Sequence, residues 1–276
     1  MTGSADDKAA RFAEARDAKD DCPRVLSLGG GVNSTALLLA MARNHIQPHL
    51  VLFADTGGER PETYKHVEQV EWWCDKQGIE MQWVTNGGRG QGRTLEENCL
   101  TRKELPSLAY GFKGCSVKWK RQPMDRFVRE WQPAKDCWAA GGKVVRFIGI
   151  DAGEAHRAVL DEDAKFTYRY PLVEWGMGRQ ECIEEIENAG WPVPPKSSCF
   201  YCPAMRRNEI LEMQRTHPEL LQRALEIEAN ADTHTVAGLG RNWKWADFIR
   251  QEDAQGKLWP EMADGPPCDC MDISDE

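Results

Sequence analysis

Apolar residues in this chain come in short blocks separated by stretches of helical spacing. Arg24 to Leu28 (RVLSL) is one block, broken by Gly29, Gly30 and Gly31. After Asn33-Ser34-Thr35 the run ALLLAMARN has helical spacing, so the stretch reads strand, glycine loop, helix. His49 to Ala54 (HLVLFA) is a second buried-type strand, ending in Asp55-Thr56-Gly57-Gly58. Pro61 suits the first turn of a helix, Glu62 suits its positive end, and the helix carries Val67, Val70 and Trp73. Glu80 to Val84 and Lys143 to Ile150 are further strands. Strands alternating with helices predict βαβ units, hence an α/β fold with a parallel sheet and flanking helices.

Past residue 170 the alternation gives way to mostly helix. Gln180 to Ala189 is helical, Trp191 to Pro195 is a rigid turn, and Glu209 to Ala229 is helical with an interruption near His217-Pro218. The expected organisation is a charged lead-in over 1–22, an α/β domain over 23–170, a helical part over 171–262 carrying a CxxC, and a flexible tail over 263–276. The glycine-rich stretch from Asn86 to Arg93 is expected to be a mobile loop.

Composition narrows the function classes. Of 276 residues, 41% are hydrophobic and 29% charged, which allows a globular core and excludes wholesale disorder. No apolar run approaches the roughly 18–20 residues of a membrane helix, and the first residues lack an apolar signal core, so a cytoplasmic protein with no membrane partner is expected. The net charge of −9 disfavours general binding of nucleic-acid backbones. A local basic patch remains available, in Lys113, Lys118, Lys120 and Arg121 and in Arg206 and Arg207. The tryptophan pairs Trp72-Trp73 and Trp243 with Trp245 read as core.

Two features carry chemistry. Gly29-Gly30-Gly31 lets backbone amides approach an anion, the following helix adds partial positive charge, and Ser34 and Thr35 offer hydroxyls. A side chain at Gly31 is expected to bar the phosphate and to meet a positive φ. The loop lacks the Lys of a Walker A motif and the spacing of GxGxxG. Second, Cys199 and Cys202 form a CxxC turn before Pro203, a spacing that lets two thiolates reach one metal, form a redox pair, or simply pack.

These segments together resemble a known family. GGGVNST is similar to the PP-loop, SGGxDS, of ATP pyrophosphatases and of phosphoadenosine phosphosulfate (PAPS) reductases. DTGGERPET, from Asp55 to Thr63, resembles the family's DTGxxxPET, and CSVKWKRQP, from Cys115 to Pro123, its CCxxxKxxP. Gly149-Ile150-Asp151-Ala152 with Glu154 resembles GxRxxES, Tyr170-Pro171-Leu172 with Trp175 resembles YPLxxW, and Cys199 to Pro203 resembles CxxCP. The matches fall in order over residues 25–205. The resemblance implies a PP-loop (HUP-like) α/β fold. It implies nucleotide contacts from Ser27, Gly29, Gly30, Gly31, Asn33, Ser34, Thr35, Asp55, Thr56, Gly149, Glu154 and Arg157. Asp55, with Mg²⁺, and Lys120 are the implied catalytic residues.

The departures are specific. Gly29 stands where the family has Ser, Asn33 where it has Asp, Ser116 where it has the second Cys, Asp151 where it has Arg, and Ala155 where it has Ser. Arg157 offers a positive charge from a shifted position, and the reductases' ECGxH is replaced by PPCDC with Cys268 and Cys270.

By resemblance Cys115 joins Cys199 and Cys202 as a metal ligand. Three thiolates suit a [4Fe–4S] cluster with one open iron, and Cys270 would close the site as Cys₄, which equally suits structural zinc. Cys22, Cys74, Cys99, Cys137 and Cys182 are expected to be buried small hydrophobes. The implied activity is ATP cleavage that adenylates an acceptor, followed by sulfur transfer. The acceptor would be a tRNA or a DNA, a small sulfur donor would supply the sulfur, and a homo-oligomer is among the possible partners. The alternatives are a PAPS or APS reductase releasing sulfite, and a non-catalytic nucleotide-binding subunit with structural zinc.

Overall fold

The computed structural model describes residues 22–86, 94–158 and 163–258. The lead-in up to residue 21, the glycine-rich stretch 87–93 and the tail with Cys268 and Cys270 lie outside the described residues.

Five strands, β1 (Arg24–Leu28), β2 (Leu50–Ala54), β3 (Glu80–Val84), β4 (Val144–Ile148) and β5 (Phe166–Arg169), form one sheet in the order β3-β2-β1-β4-β5. Every pairing is parallel, with Ser27 of β1 opposite Leu52 on one side and Ile148 on the other. Every residue of β2 is buried, as a central parallel strand requires, and this explains its unbroken apolar run. The edge strand β3 keeps Glu80 exposed.

Helices α1 (Val32–Arg43), α2 (Pro61–Lys76) and α6 (Arg179–Asn188) cover one face. There Leu26, Phe53 and Phe147 meet Leu37, Val67, Val70 and Ile186. The other face is covered by α4 (Gln122–Glu130) and α5 (Gln132–Ala139), where Val25, Leu52, Val144 and Phe166 pack on Met124, Val128 and Ala134. Leu172, Trp175 and Cys182 belong to the first face, so the chain past residue 170 still packs on the sheet.

A second core joins α3 (Leu95–Arg102), α7 (Arg207–Thr216), α8 (Pro218–Asn230) and α9 (Trp245–Leu258) around Phe200, Tyr201, Met213 and Trp245. Helix α3 starts at a capping box, Thr94 with Glu97. Trp245 is buried as expected, whereas Trp72 is 62% exposed on the outer face of α2. Among the described residues no helix is long and apolar enough to cross a membrane.

The sheet order fixes where a ligand can sit. The chain runs outward from β1 to β2 and β3, then crosses back to β4 on the other side of β1. The loops after β1 and β4 therefore part from one another at their carboxyl ends, which opens a crevice there.

Candidate functional site

The glycine loop closes this crevice at the start of α1. Gly30 has φ +72°, and a Cβ there would lie 3.0 Å from Val67 and 3.1 Å from Thr63. The left-handed glycine is therefore Gly30, and the expectation of a positive φ at Gly31 is corrected: Gly31 has φ −116° as the N-cap of α1. Ser34 Oγ accepts from Gly29 N (3.0 Å) and donates to Gly31 O (3.2 Å), so its hydroxyl folds the loop. Thr35 is wholly buried. Its Oγ1 donates to Gly31 O (3.0 Å) and lies 2.8 Å from His66 Nε2. Gly149, after β4, lets the two loops touch: a Cβ there would stand 2.8 Å from the Ser34 backbone.

A cleft of about 520 Å³ lies over these strand ends. Its lining includes Ser27, Gly29, Gly31, Asn33, Ser34 and Gly149 together with Lys120, Arg121, Arg146, Arg157, Arg179 and Lys196. Among the described residues no Asp or Glu lines it. Such a cleft attracts a polyanion, and the glycine loop with the α1 amino end supplies backbone donors at its rim. Arg157 is paired with Glu154 at 2.5 Å, and Glu154 is outside the lining.

Asn33 lies at the junction of the two loops. Its Nδ2 donates to Asp151 Oδ2 (2.8 Å), and its Oδ1 accepts from Arg179 Nη1 (3.1 Å). Asp55 follows β2 outside the lining, and its Oδ1 accepts from Gly57 N and the Tyr64 hydroxyl, both at 2.8 Å. Thr56 is buried, with its Oγ1 3.1 Å from Cys199 Sγ.

Lys120 joins the cleft to the cysteines. Its Nζ donates to Glu59 Oε1 (2.8 Å), and the Glu59 side chain is completely buried. Ser197 Oγ donates to Gly29 O (2.5 Å) and lies 3.4 Å from Glu59 Oε2. Burial works against the Lys120 charge, but Glu59, Cys199 and Cys202 outweigh it and hold its pKa above the usual lysine value. Glu59 and Cys199 form an antiparallel bridge, and Phe200 N donates to Gly58 O (2.8 Å), so the CxxC turn is stitched to the loop after β2. Gly58 is required here, because a Cβ would fall 2.6 Å from the Tyr201 hydroxyl.

Cys199, Cys202 and Cys115 share one apolar cluster with Cys99. Burial pushes the Cys199 thiol up to about 12 and raises Cys202 as well. Three thiols and no oxygen ligand make a soft donor set, which suits iron–sulfur or zinc chemistry. Among the described residues, however, no three His, Cys, Asp or Glu side chains are arranged to hold a single metal ion. Cys270 lies outside the described residues. Cys115 lines a different cavity, of about 960 Å³, whereas Ser116, Lys120 and Arg121 of the helical turns Gly114–Ser116 and Val117–Arg121 line the glycine-loop cleft.

Sequence reasoning missed Glu59, Arg146, Arg179, Lys196 and Ser197. Glu59 lay inside a recognised motif, and Lys196 and Ser197 directly precede the CxxC, so proximity to motifs was the available signal. Arg146 sits inside an apolar strand pattern (KVVRFIGI), where a lone charge was the signal.

No family model matches the chain. An uncharacterized protein of Methanocaldococcus jannaschii, MJ0066, is 25% identical over 237 residues, which is 80% of this chain and 44% of the relative. The chain thus spans less than half the length of that relative. Among solved structures, the U34-tRNA thiolase NcsA from Methanococcus maripaludis, solved with its [4Fe-4S] cluster, aligns over 89% of this chain and 87% of that one, with 11% identity and a TM-score of 0.45.

Proposed function

We propose that this chain is a PP-loop-type enzyme that cleaves ATP between its α and β phosphates, adenylates an acceptor and hands it sulfur. The observation that carries this reading is the acid-free, cation-rich cleft at the sheet's switch point, closed by a glycine loop. Gly31 and Ser34 would present backbone amides to the leaving pyrophosphate, and Arg157, Arg179 and Lys196 would offset its charge. Mg²⁺ finds no carboxylate on the lining, so it would enter on the nucleotide's own phosphates.

Lys120 links the cleft to the CxxC turn, where its cation would stabilise a thiolate or sulfide that attacks the adenylated acceptor and displaces AMP. Cys115, Cys199 and Cys202 would hold an iron–sulfur cluster, which supplies a site for sulfur. The acceptor is a tRNA or DNA base or a small molecule, and the sulfur donor is a small sulfur compound.

Incubation with ATP and Mg²⁺ should yield pyrophosphate and AMP once an acceptor is present. Release of ADP and orthophosphate alone would overturn the reading. Anaerobic reconstitution should give a brown protein that Cys199→Ser and Cys202→Ser each leave colourless.

A further inference from the structure

Arg146 is the most buried charge of the cleft, with 3% of its side chain exposed. It stands in mid-strand on β4, opposite Val25 of β1 and Tyr168 of β5. Its strand neighbours Val144, Val145 and Phe147 are apolar, and a role confined to packing would be met by another such residue. The guanidinium lies 5.0 Å from the Phe166 ring centre, and its Nη1 donates to Asp125 Oδ1. Nε and Nη2 are buried and have no partner among the described residues. Leaving two donors unmet is costly, and the fold gives no return for it. Nε with Nη2 is also the edge of the fork that grips an oxyanion through two parallel bonds.

The surroundings match that edge. Arg121 and Tyr168 line the same cleft. Burial, with Asp125 and Asp163, holds the Tyr168 phenol above its usual pKa against the pull of Arg146 and Arg121, so it is a donor at neutral pH. Asp125 and Asp163 both act on Tyr168, but neither lines the cleft, whereas Arg121 and Arg146 do. The glycine loop forms a separate anion centre at the rim.

We propose that Arg146, Arg121 and Tyr168 form a second oxyanion subsite on the floor of the cleft, apart from the polyphosphate centre, that takes one phosphate- or sulfate-like group. The group is either carried on the nucleotide itself or belongs to a free oxyanion co-substrate. The subsite does not depend on which nucleotide occupies the glycine loop.

Inorganic sulfate is the probe, titrated calorimetrically into the full chain. Sulfate should bind, and Arg146→Lys, which keeps the charge but loses the fork, should weaken it about tenfold or more. Tyr168→Phe and Arg121→Gln, at less buried positions, should each weaken it several-fold while the melting temperature holds. Sulfate that still binds at saturating ATP identifies a free oxyanion, and sulfate displaced by ATP identifies a group on the nucleotide. Absence of sulfate binding, or unchanged affinity in Arg146→Lys and Tyr168→Phe, would each overturn the subsite. ATP affinity, measured on the same proteins, tests the glycine loop separately: if Gly31→Val still binds ATP normally, the nucleotide reading fails and the floor subsite stands.

Discussion

Asn33 and Asp151 hold each other across the mouth of the cleft, Nδ2 to Oδ2 at 2.8 Å, from the loops that follow β1 and β4. Both positions depart from the family pattern: Asn stands in place of Asp, and Asp in place of Arg. The two departures are complementary. In this chain the carboxylate of the pair stands on the second loop, and a carboxamide on the first is its donor. Asp151 Oδ1 also accepts from Glu154 N (3.1 Å), so the same carboxylate starts the 3₁₀ turn Ala152–Arg157 that carries Arg157.

This pairing makes a reciprocal prediction. Asn33→Asp sets two carboxylates at hydrogen-bond distance, with Asp151 only 5% exposed, and should cost about 1–3 kcal/mol. Adding Asp151→Asn restores a donor and an acceptor and retains a side chain able to cap the turn. The double variant should recover most of the lost stability. Urea denaturation of the four proteins measures the coupling, and strictly additive losses would show that the two side chains do not depend on each other.

The two glycines of the cleft differ in a testable way. A methyl group at Gly149 meets the Ser34 backbone at 2.8 Å, and backbone cannot step aside as a side-chain tip can. Gly149→Ala should therefore destabilise by about 1–3 kcal/mol and weaken ATP binding together. At Gly31 the nearest atom to an added Cβ is Ser197 Cβ, 3.5 Å away, and φ is negative. Gly31→Ala should fold normally, and only the branched Gly31→Val should reach far enough to exclude phosphate. Thermal melts and ATP titration on both glycines check the contrast.

The sequence made the parallel sheet legible because β1, β2 and β4 are apolar runs bounded by glycine or polar residues. It did not show β5, whose four residues (FTYR) carry too little pattern. It did not show α4 and α5 either, where Gln, Pro, Asp and Arg dilute the apolar face and the helices owe their place to packing on Val25 and Val144. In the site, motif residues such as Gly30 and Gly149 were readable because geometry admits nothing larger. The hydroxyls of Ser34 and Thr35 were read as phosphate donors, but they serve the loop itself, and spacing alone could not tell those roles apart. Glu59 was invisible as a functional partner because its meaning depends on Lys120, 61 residues away.

The Lys120–Glu59 pair should behave as a buried ion pair on one side only. Glu59 has no exposed side chain, while Lys120 keeps 33% of its own. Lys120→Met strands the carboxylate and should cost about 2–4 kcal/mol, somewhat less than a wholly buried pair because water can reach the lysine end. Lys120→Met with Glu59→Gln removes the stranded charge and should be more stable than Lys120→Met alone. Urea midpoints at pH 7 decide the order, and a double variant weaker than the single one would show that Glu59 is held by other groups.

His66 links the stability of the glycine loop to pH. It is 6% exposed on α2, and burial lowers its pKa from 6.5 to about 4. The Thr35 hydroxyl proton is committed to Gly31 O, so the neutral ring donates from Nε2 to Thr35 Oγ1 at 2.8 Å. Above pH 6.5 the ring is neutral in both folded and unfolded chains, and its contribution is fully present. As pH falls from 6.5 towards 4 the unfolded chain takes the proton first, so folding loses stability across that window. The loss is about 2 kcal/mol between pH 7 and pH 5, and about 3 kcal/mol once pH reaches the folded value. His66→Gln keeps a donor and does not titrate. It should start less stable at pH 7, because the amide fills less of the space beside Trp191, whose ring centre lies 6.2 Å from that of His66. From pH 7 to pH 5 the native chain should lose about 2 kcal/mol more than this variant, and urea midpoints at the two pH values measure the difference. Parallel losses in the two proteins would mean that His66 is not the group that titrates in this window.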